Sequence, residues 1–117
     1  LFTKEQKFTA NGTGPETAII SQNKPDSYKV ILFSNYPNPF SNKTTFTVIV
    51  DEKLKYNEAE ILITDILGRH LYHIPVDLNK KSNKIEFNPA HITPSFYNFS
   101  LVIDGKTFLT RKMMVTN

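Results

Sequence analysis

The chain contains no cysteine and no tryptophan, only four glycines, and only two arginines, Arg69 and Arg111, among its 117 residues. Without cysteine there is no disulfide framework, no thiolate metal site and no cysteine nucleophile, so the fold has to be held by ordinary apolar burial. The glycines, at positions 12, 14, 68 and 105, form no phosphate-cradling fingerprint. Apolar residues never run long enough for a helical membrane span, which needs about 18 or more in succession; the longest cluster is residues 30–33. A net charge of +3, carried mostly by interleaved lysines, gives no basic stripe with arginines for bidentate contacts, which argues against nucleic-acid binding. The densest basic spot, Lys80-Lys81-Ser82-Asn83-Lys84, reads as a solvated turn.

What is present is β-forming material for one domain, since domains commonly run to about 100–150 residues. Residues 1–29 are polar and interrupted by Asn11-Gly12-Thr13-Gly14-Pro15 and Asn23-Lys24-Pro25-Asp26, which are turn and loop signals. They read as an extended linker, or as the tail of a preceding domain. The first residues have neither an initiating methionine nor the order of a signal peptide, so the sequence reads as part of a longer protein. Two short pieces, residues 7–10 and 17–20, have strand composition and would pair if a neighbour offered an edge.

From Val30 onward, short runs rich in β-branched and aromatic residues are separated by Pro, Asn, Asp and Gly. The runs cover residues 30–33, 44–50, 59–65, 70–75, 83–87, 96–103 and 107–115. This spacing predicts an all-β, immunoglobulin-like antiparallel sandwich of about seven strands over residues 30–117. Phe46, Val48 and Val50 alternate onto one face, as do Ile61 with Ile63, and Tyr97, Phe99, Leu101 with Ile103. Asp104-Gly105 predicts a tight hairpin between the last two strands, because both residues tolerate positive φ.

Groups able to do chemistry are sparse. His70 and His73 stand an odd number of positions apart, so in a regular strand they point to opposite faces and share no metal. His91 completes the histidines. Asp51-Glu52 and the pair Glu58 and Glu60 sit at strand margins, where carboxylates are solvated, and no calcium-loop order accompanies them. No catalytic, cofactor-binding or metal-binding residue is assigned, and the chain reads as something other than an enzyme. The nine phenylalanines and five tyrosines mostly fall at alternating strand positions or beside proline, which favours core packing over a sugar platform.

One segment carries more information: Asn35-Tyr36-Pro37-Asn38-Pro39-Phe40-Ser41-Asn42-Lys43-Thr44-Thr45-Phe46. It resembles the Tyr-Pro-Asn-Pro-Phe opening of the type A C-terminal sorting domains carried by cargo of the Bacteroidetes type IX secretion system. In that family a strand ending in an Asp-x-x-Gly-Arg turn comes next, and Ile63-Thr64-Asp65-Ile66-Leu67-Gly68-Arg69 matches it. A Leu-x-x-Gly-x-Tyr element corresponds to Ile92-Thr93-Pro94-Ser95-Phe96-Tyr97, and a final strand bearing a lysine to Arg111-Lys112-Met113-Met114-Val115. Ser95 departs from the pattern, standing where the family usually has glycine, so any sharp turn there is made with a Cβ present.

The resemblance implies an address label that carries a cargo protein through the periplasm and across the outer membrane to the surface or medium. Its implied partners are the type IX translocon and an outer-membrane shuttle barrel, with a sortase-like cysteine peptidase cutting in the linker, between residues 10 and 28. No cofactor and no transmembrane segment belong to this reading. The candidate recognition residues are Pro37, Asn38, Pro39, Gly68, Arg69, Lys112, Met113, Met114 and Val115. Each also has an architectural reading: the prolines fix φ and stiffen the entry to a strand, Gly68 supplies a positive-φ turn, and Met113 or Met114 fills the core. Lys80, Lys81, Lys84 and Lys112 are the available contacts for an acidic receptor. The alternative function is a structural or carbohydrate-binding sandwich module of an extracellular enzyme.

Overall fold

The computed structural model describes residues 16–21, 27–51 and 55–117. These residues include eight strands: β1 (Glu16–Ser21), β2 (Ser27–Leu32), β3 (Thr44–Val50), β4 (Ala59–Thr64), β5 (His70–Pro75), β6 (Ser82–Phe87), β7 (Ser95–Ile103) and β8 (Lys106–Val115). They form two four-stranded antiparallel sheets, ordered β1-β2-β3-β6 and β5-β4-β7-β8. No described residue is helical. The seven runs read from sequence are β2 to β8. The eighth strand, β1, contains residues 17–20, for which β2 supplies the edge. Residues 7–10 lie outside the described residues.

The sheets close on each other because their inward positions are apolar at a period of two. Phe46, Val48 and Val50 from β3 face Ile61 and Ile63 of β4 and Phe99, Leu101 and Ile103 of β7 in a single core. Lateral order is that of an immunoglobulin-type sandwich, with the β3–β6 pair in one sheet and the β4–β7 pair in the other.

In antibody domains a disulfide spans the sheets between the counterparts of β3 and β7. Here two fully buried rings meet between those strands: Phe46 and Phe99 have centroids 4.7 Å apart. Apolar contact thus stands where a covalent staple is absent. Two residues before Phe99, the Tyr97 hydroxyl donates to the carbonyl of Thr93, reproducing the tyrosine corner of such sandwiches. This fixes the entry to β7 and satisfies the polar end of an otherwise buried ring.

The turn between β7 and β8 is the expected one. Asp104 and Gly105 have φ of 49° and 82°, as a type I′ hairpin requires. The Asp104 carboxylate also accepts the backbone N–H groups of Asn57 and Glu58 at 2.8 and 2.9 Å, fastening the approach to β4.

One sequence expectation is corrected by β5. Tyr72 pairs with Ile63, but the next rung pairs His70 with Thr64, leaving Leu71 as an extra residue in a β-bulge. A bulge resets the alternation of side chains. His70 and His73 therefore share the outer face of the sheet, with ring centroids 5.4 Å apart.

Candidate functional site: the motif-bearing end of the sandwich

The register brings one set of strand ends together. β3 starts where β6 stops (Thr44 opposite Phe87), β4 ends opposite the start of β5 (Thr64 opposite His70), and β7 starts where β8 stops (Ser95 opposite Val115). All four sorting-type sequence elements lie at this end, although they are spread over more than two-thirds of the chain.

The first and last elements are joined directly. Phe40 forms a parallel bridge with Val115: its N–H donates to Met114 O at 3.1 Å, and Thr116 N–H donates to Phe40 O at 2.8 Å. The Asn38 side-chain oxygen accepts Met114 N–H at 3.0 Å. Proline suits this segment because Pro37 and Pro39 have no N–H to leave unsatisfied. Both of their preceding peptide bonds, Tyr36–Pro37 and Asn38–Pro39, are cis. Beneath the segment, buried Asn35 donates through Nδ2 to Thr44 Oγ1 (2.9 Å) and Pro37 O (3.1 Å), and Thr44 Oγ1 donates to Pro37 O (2.8 Å). Phe40 buries its ring against Phe87, centroids 6.2 Å apart.

The second element is a turn built around one carboxylate. Asp65 Oδ1 accepts the N–H groups of Leu67 and Arg69, both at 2.9 Å, while Oδ2 accepts Arg69 Nε at 2.6 Å. Gly68, at φ +85°, completes the turn in the left-handed region. The N–H donated by Arg69 is the main reason why the Asp65 pKa lies below its ordinary value of 3.8; the guanidinium and the Leu67 N–H act in the same direction, against some desolvation. This fixed turn displays Ile66 and Leu67 to solvent, 70% and 75% exposed.

A groove of about 590 Å³ separates this turn from the third element and is lined by Asp65, Leu67, Leu71, Ile92, Ser95 and Tyr97, among others. Ile92 also lines a second, more polar groove beside Asn42, Lys43 and Asn88, so the loops following β2, β4 and β6 form one continuous surface. Ser95 lies in the first residue of β7, and the only non-glycine residue with positive φ among those described is Asp104. The chain needs no glycine conformation at Ser95.

The candidate recognition residues divide by burial. Pro37, Asn38, Pro39, Gly68, Arg69 and Lys112 are exposed; Met114 is half-buried; Met113 and Val115 are 1% and 2% exposed and belong to the core. The margin of β8 near its end is occupied by the Asn38 side chain and the Phe40 backbone, so these last residues offer no free edge to a partner's sheet. Lys112 lies over the half-exposed ring of Phe96, with Nζ 5.8 Å from the centroid. Among the other lysines, Lys80 and Lys81 lie at the far end, where Val50 N–H donates to Lys81 O.

Arg111 was not foreseen as a site residue. It occupies an inward position of β8, is almost fully buried, and donates to Leu32 O at 3.4 Å and Ser34 Oγ at 2.7 Å, tying the last strand to the opposite sheet. Its parity with Leu109, Met113 and Val115 was the available signal. Among the described residues no helix is long and apolar enough to cross a membrane, and no three His, Asp or Glu side chains gather to hold a metal ion.

Residues 34–116 match the family described as the secretion system C-terminal sorting domain. The chain belongs to this family. The matched span begins just before the Tyr36-to-Phe40 segment and ends just after β8, so it includes every element that converges here. Membership makes the domain a C-terminal sorting signal of the type IX secretion system, directing export to the cell surface or extracellular space. No curated protein matches the chain. Among solved structures it is similar to an endonuclease/exonuclease/phosphatase from Beutenbergia cavernae DSM 12333, at 10% identity and a TM-score of 0.33, covering 86% of this chain and 27% of that one.

Proposed function

We propose that the type IX translocon and an outer-membrane shuttle barrel read this domain as a folded object, at the end of the sandwich where the four elements meet. The domain is their ligand and not a catalyst, and it passes through the periplasm already folded. The observation that carries this reading is the convergence: two elements form one latch, two enclose one groove, and the exposed residues among them include Pro37, Asn38, Pro39, Leu67, Gly68, Arg69 and Lys112. Met113 and Val115 serve recognition indirectly, by holding β8 in the core.

Scission by a sortase-like cysteine peptidase fits the same reading. A cut within β1 or β2 would first have to break their ladder, so we place it elsewhere in residues 10–28.

The test is export of a periplasmic reporter fused to residues 16–117, with β1 retained, in a type IX-competent cell. Delivery to the surface is expected, with loss of delivery when Arg69 and Leu67 are replaced together by Ala in a variant that still folds. Retention of the folded parent fusion in the periplasm would overturn the sorting role, and undiminished export of the double variant would overturn recognition at this end.

A further inference from the structure

Outside the sorting elements, the bulge in β5 creates an arrangement that a regular strand would forbid. His70 and His73 lie on the outer face of the β5-β4-β7-β8 sheet, opposite Thr64 and Leu62. Their rings meet edge to face with centroids 5.4 Å apart. Two imidazoles bound to one tetrahedral ion through bonds of about 2.0–2.1 Å place their ring centres roughly 5 Å apart, so the two rings stand close enough for rotation about their side-chain bonds to bring one nitrogen of each to a shared ion.

Glu60 Oε2 stands 2.9 Å from His73 Nδ1. An ionised carboxylate only accepts, so Nδ1 carries the proton and, in the neutral ring, the lone pair is left on Nε2. Histidines that bind metals are oriented in this way, with the other ring nitrogen donating to a carboxylate that fixes the tautomer and raises ligand basicity. β5 is an edge strand, and both imidazoles are exposed, so an ion can approach without any rearrangement of the core.

We propose that His70 and His73 chelate a divalent transition-metal ion of the Cu²⁺, Ni²⁺ or Zn²⁺ class, with Glu60 orienting His73. No third protein ligand joins them among the described residues, so the remaining coordination positions belong to water and the site is open. Such a site binds far more weakly than an enclosed structural metal centre. Imidazole ligands favour these ions over Mg²⁺ and Ca²⁺, and Cu²⁺ should bind most tightly of the three.

The proposal is tested by titrating the full chain with CuCl₂, NiCl₂ and ZnCl₂ in a calorimeter, with MgCl₂ as the hard-cation control. One saturable Cu²⁺ site is expected, weakened about tenfold or more by His70→Ala or His73→Ala and unaffected by His91→Ala. Glu60→Gln should weaken it by roughly tenfold, in the range seen for outer-shell partners. In NMR spectra, paramagnetic broadening by substoichiometric Cu²⁺ should centre on β4 and β5. The exposed variants should keep the parent's thermal midpoint, which separates ligand loss from unfolding. The proposal fails if the parent shows no saturable Cu²⁺ binding, or if the His70→Ala, His73→Ala double variant binds as the parent does. Glu60→Gln binding at parental strength would remove the orienting role.

Discussion

The side-chain oxygen of Asn38 holds the backbone N–H of Met114, 76 residues further along the chain, at 3.0 Å. This bond and the Phe40–Val115 bridge turn two distant sequence elements into one latch over the end of β8. Asn38→Ala should cost about 1 kcal/mol, the usual worth of one hydrogen bond, since the site is exposed and water replaces the acceptor. Amide exchange should locate the change, with faster exchange at Met114 and little change in mid-strand β7.

The last strand allows stability and recognition to be separated. Met113 is core, and Met113→Ala should destabilise by about 2–5 kcal/mol in urea denaturation. Lys112 is exposed, and Lys112→Ala should change stability by less than about 0.5 kcal/mol. Reduced export of the Lys112 variant would then report recognition, whereas deleting residues 112–117 would remove Met113 and Val115 from the core and report folding.

The Asp65 turn should respond to acid. Its carboxyl pKa is lowered in the folded state, first by the Arg69 N–H, so the ionised form is favoured there. The stabilisation it gives is fully present above the ordinary value of 3.8 and is lost as pH falls through the lower folded value. NMR titration should show the Leu67 and Arg69 amides shifting together below that ordinary value, and Asp65→Asn should abolish the step. Gly68→Ala, forced to φ +85°, should cost about 1–2 kcal/mol even though a Cβ there meets nothing within 4 Å.

Tyr97 should respond to alkali. Burial, and then the charges of Asp65 and Tyr72, raise its pKa above 10.0. Stability from this group is complete below pH 10 and declines as pH rises through the folded value. Tyr97→Phe should remove a phenol that titrates above pH 10.0 from an ultraviolet titration and cost about 1 kcal/mol at neutral pH through the lost bond to Thr93 O.

Replacement of Phe99 tests what stands in for the inter-sheet disulfide. Phe99→Ala should cost about 3–5 kcal/mol, more than any exposed substitution at the motif end. A midpoint shift no larger than that of Asn38→Ala would show that the Phe46 contact is not a central staple.

Whatever depends on local pattern was legible in the chain. Alternation of Phe46, Val48 and Val50 and of Tyr97 to Ile103 is a period-two signal, and it named the inward faces of β3 and β7. Asp104-Gly105 determined its own turn because positive φ is a property of those residues. The four sorting elements were legible as short strings, each carrying its own backbone demands. Register and closure, by contrast, were decided by the tertiary structure alone. That Met113 is core while Lys112 is exposed depends on which side of β8 faces Phe99, and that Arg111 reaches Leu32 O depends on the opposite sheet. The placing of His70 beside His73 turned on a single unpaired residue, Leu71, which no parity rule reveals because a bulge is fixed by pairing with β4. The gathering of the sorting elements at one end belongs to the same class, since strand order and antiparallel direction are contacts between residues far apart in the chain.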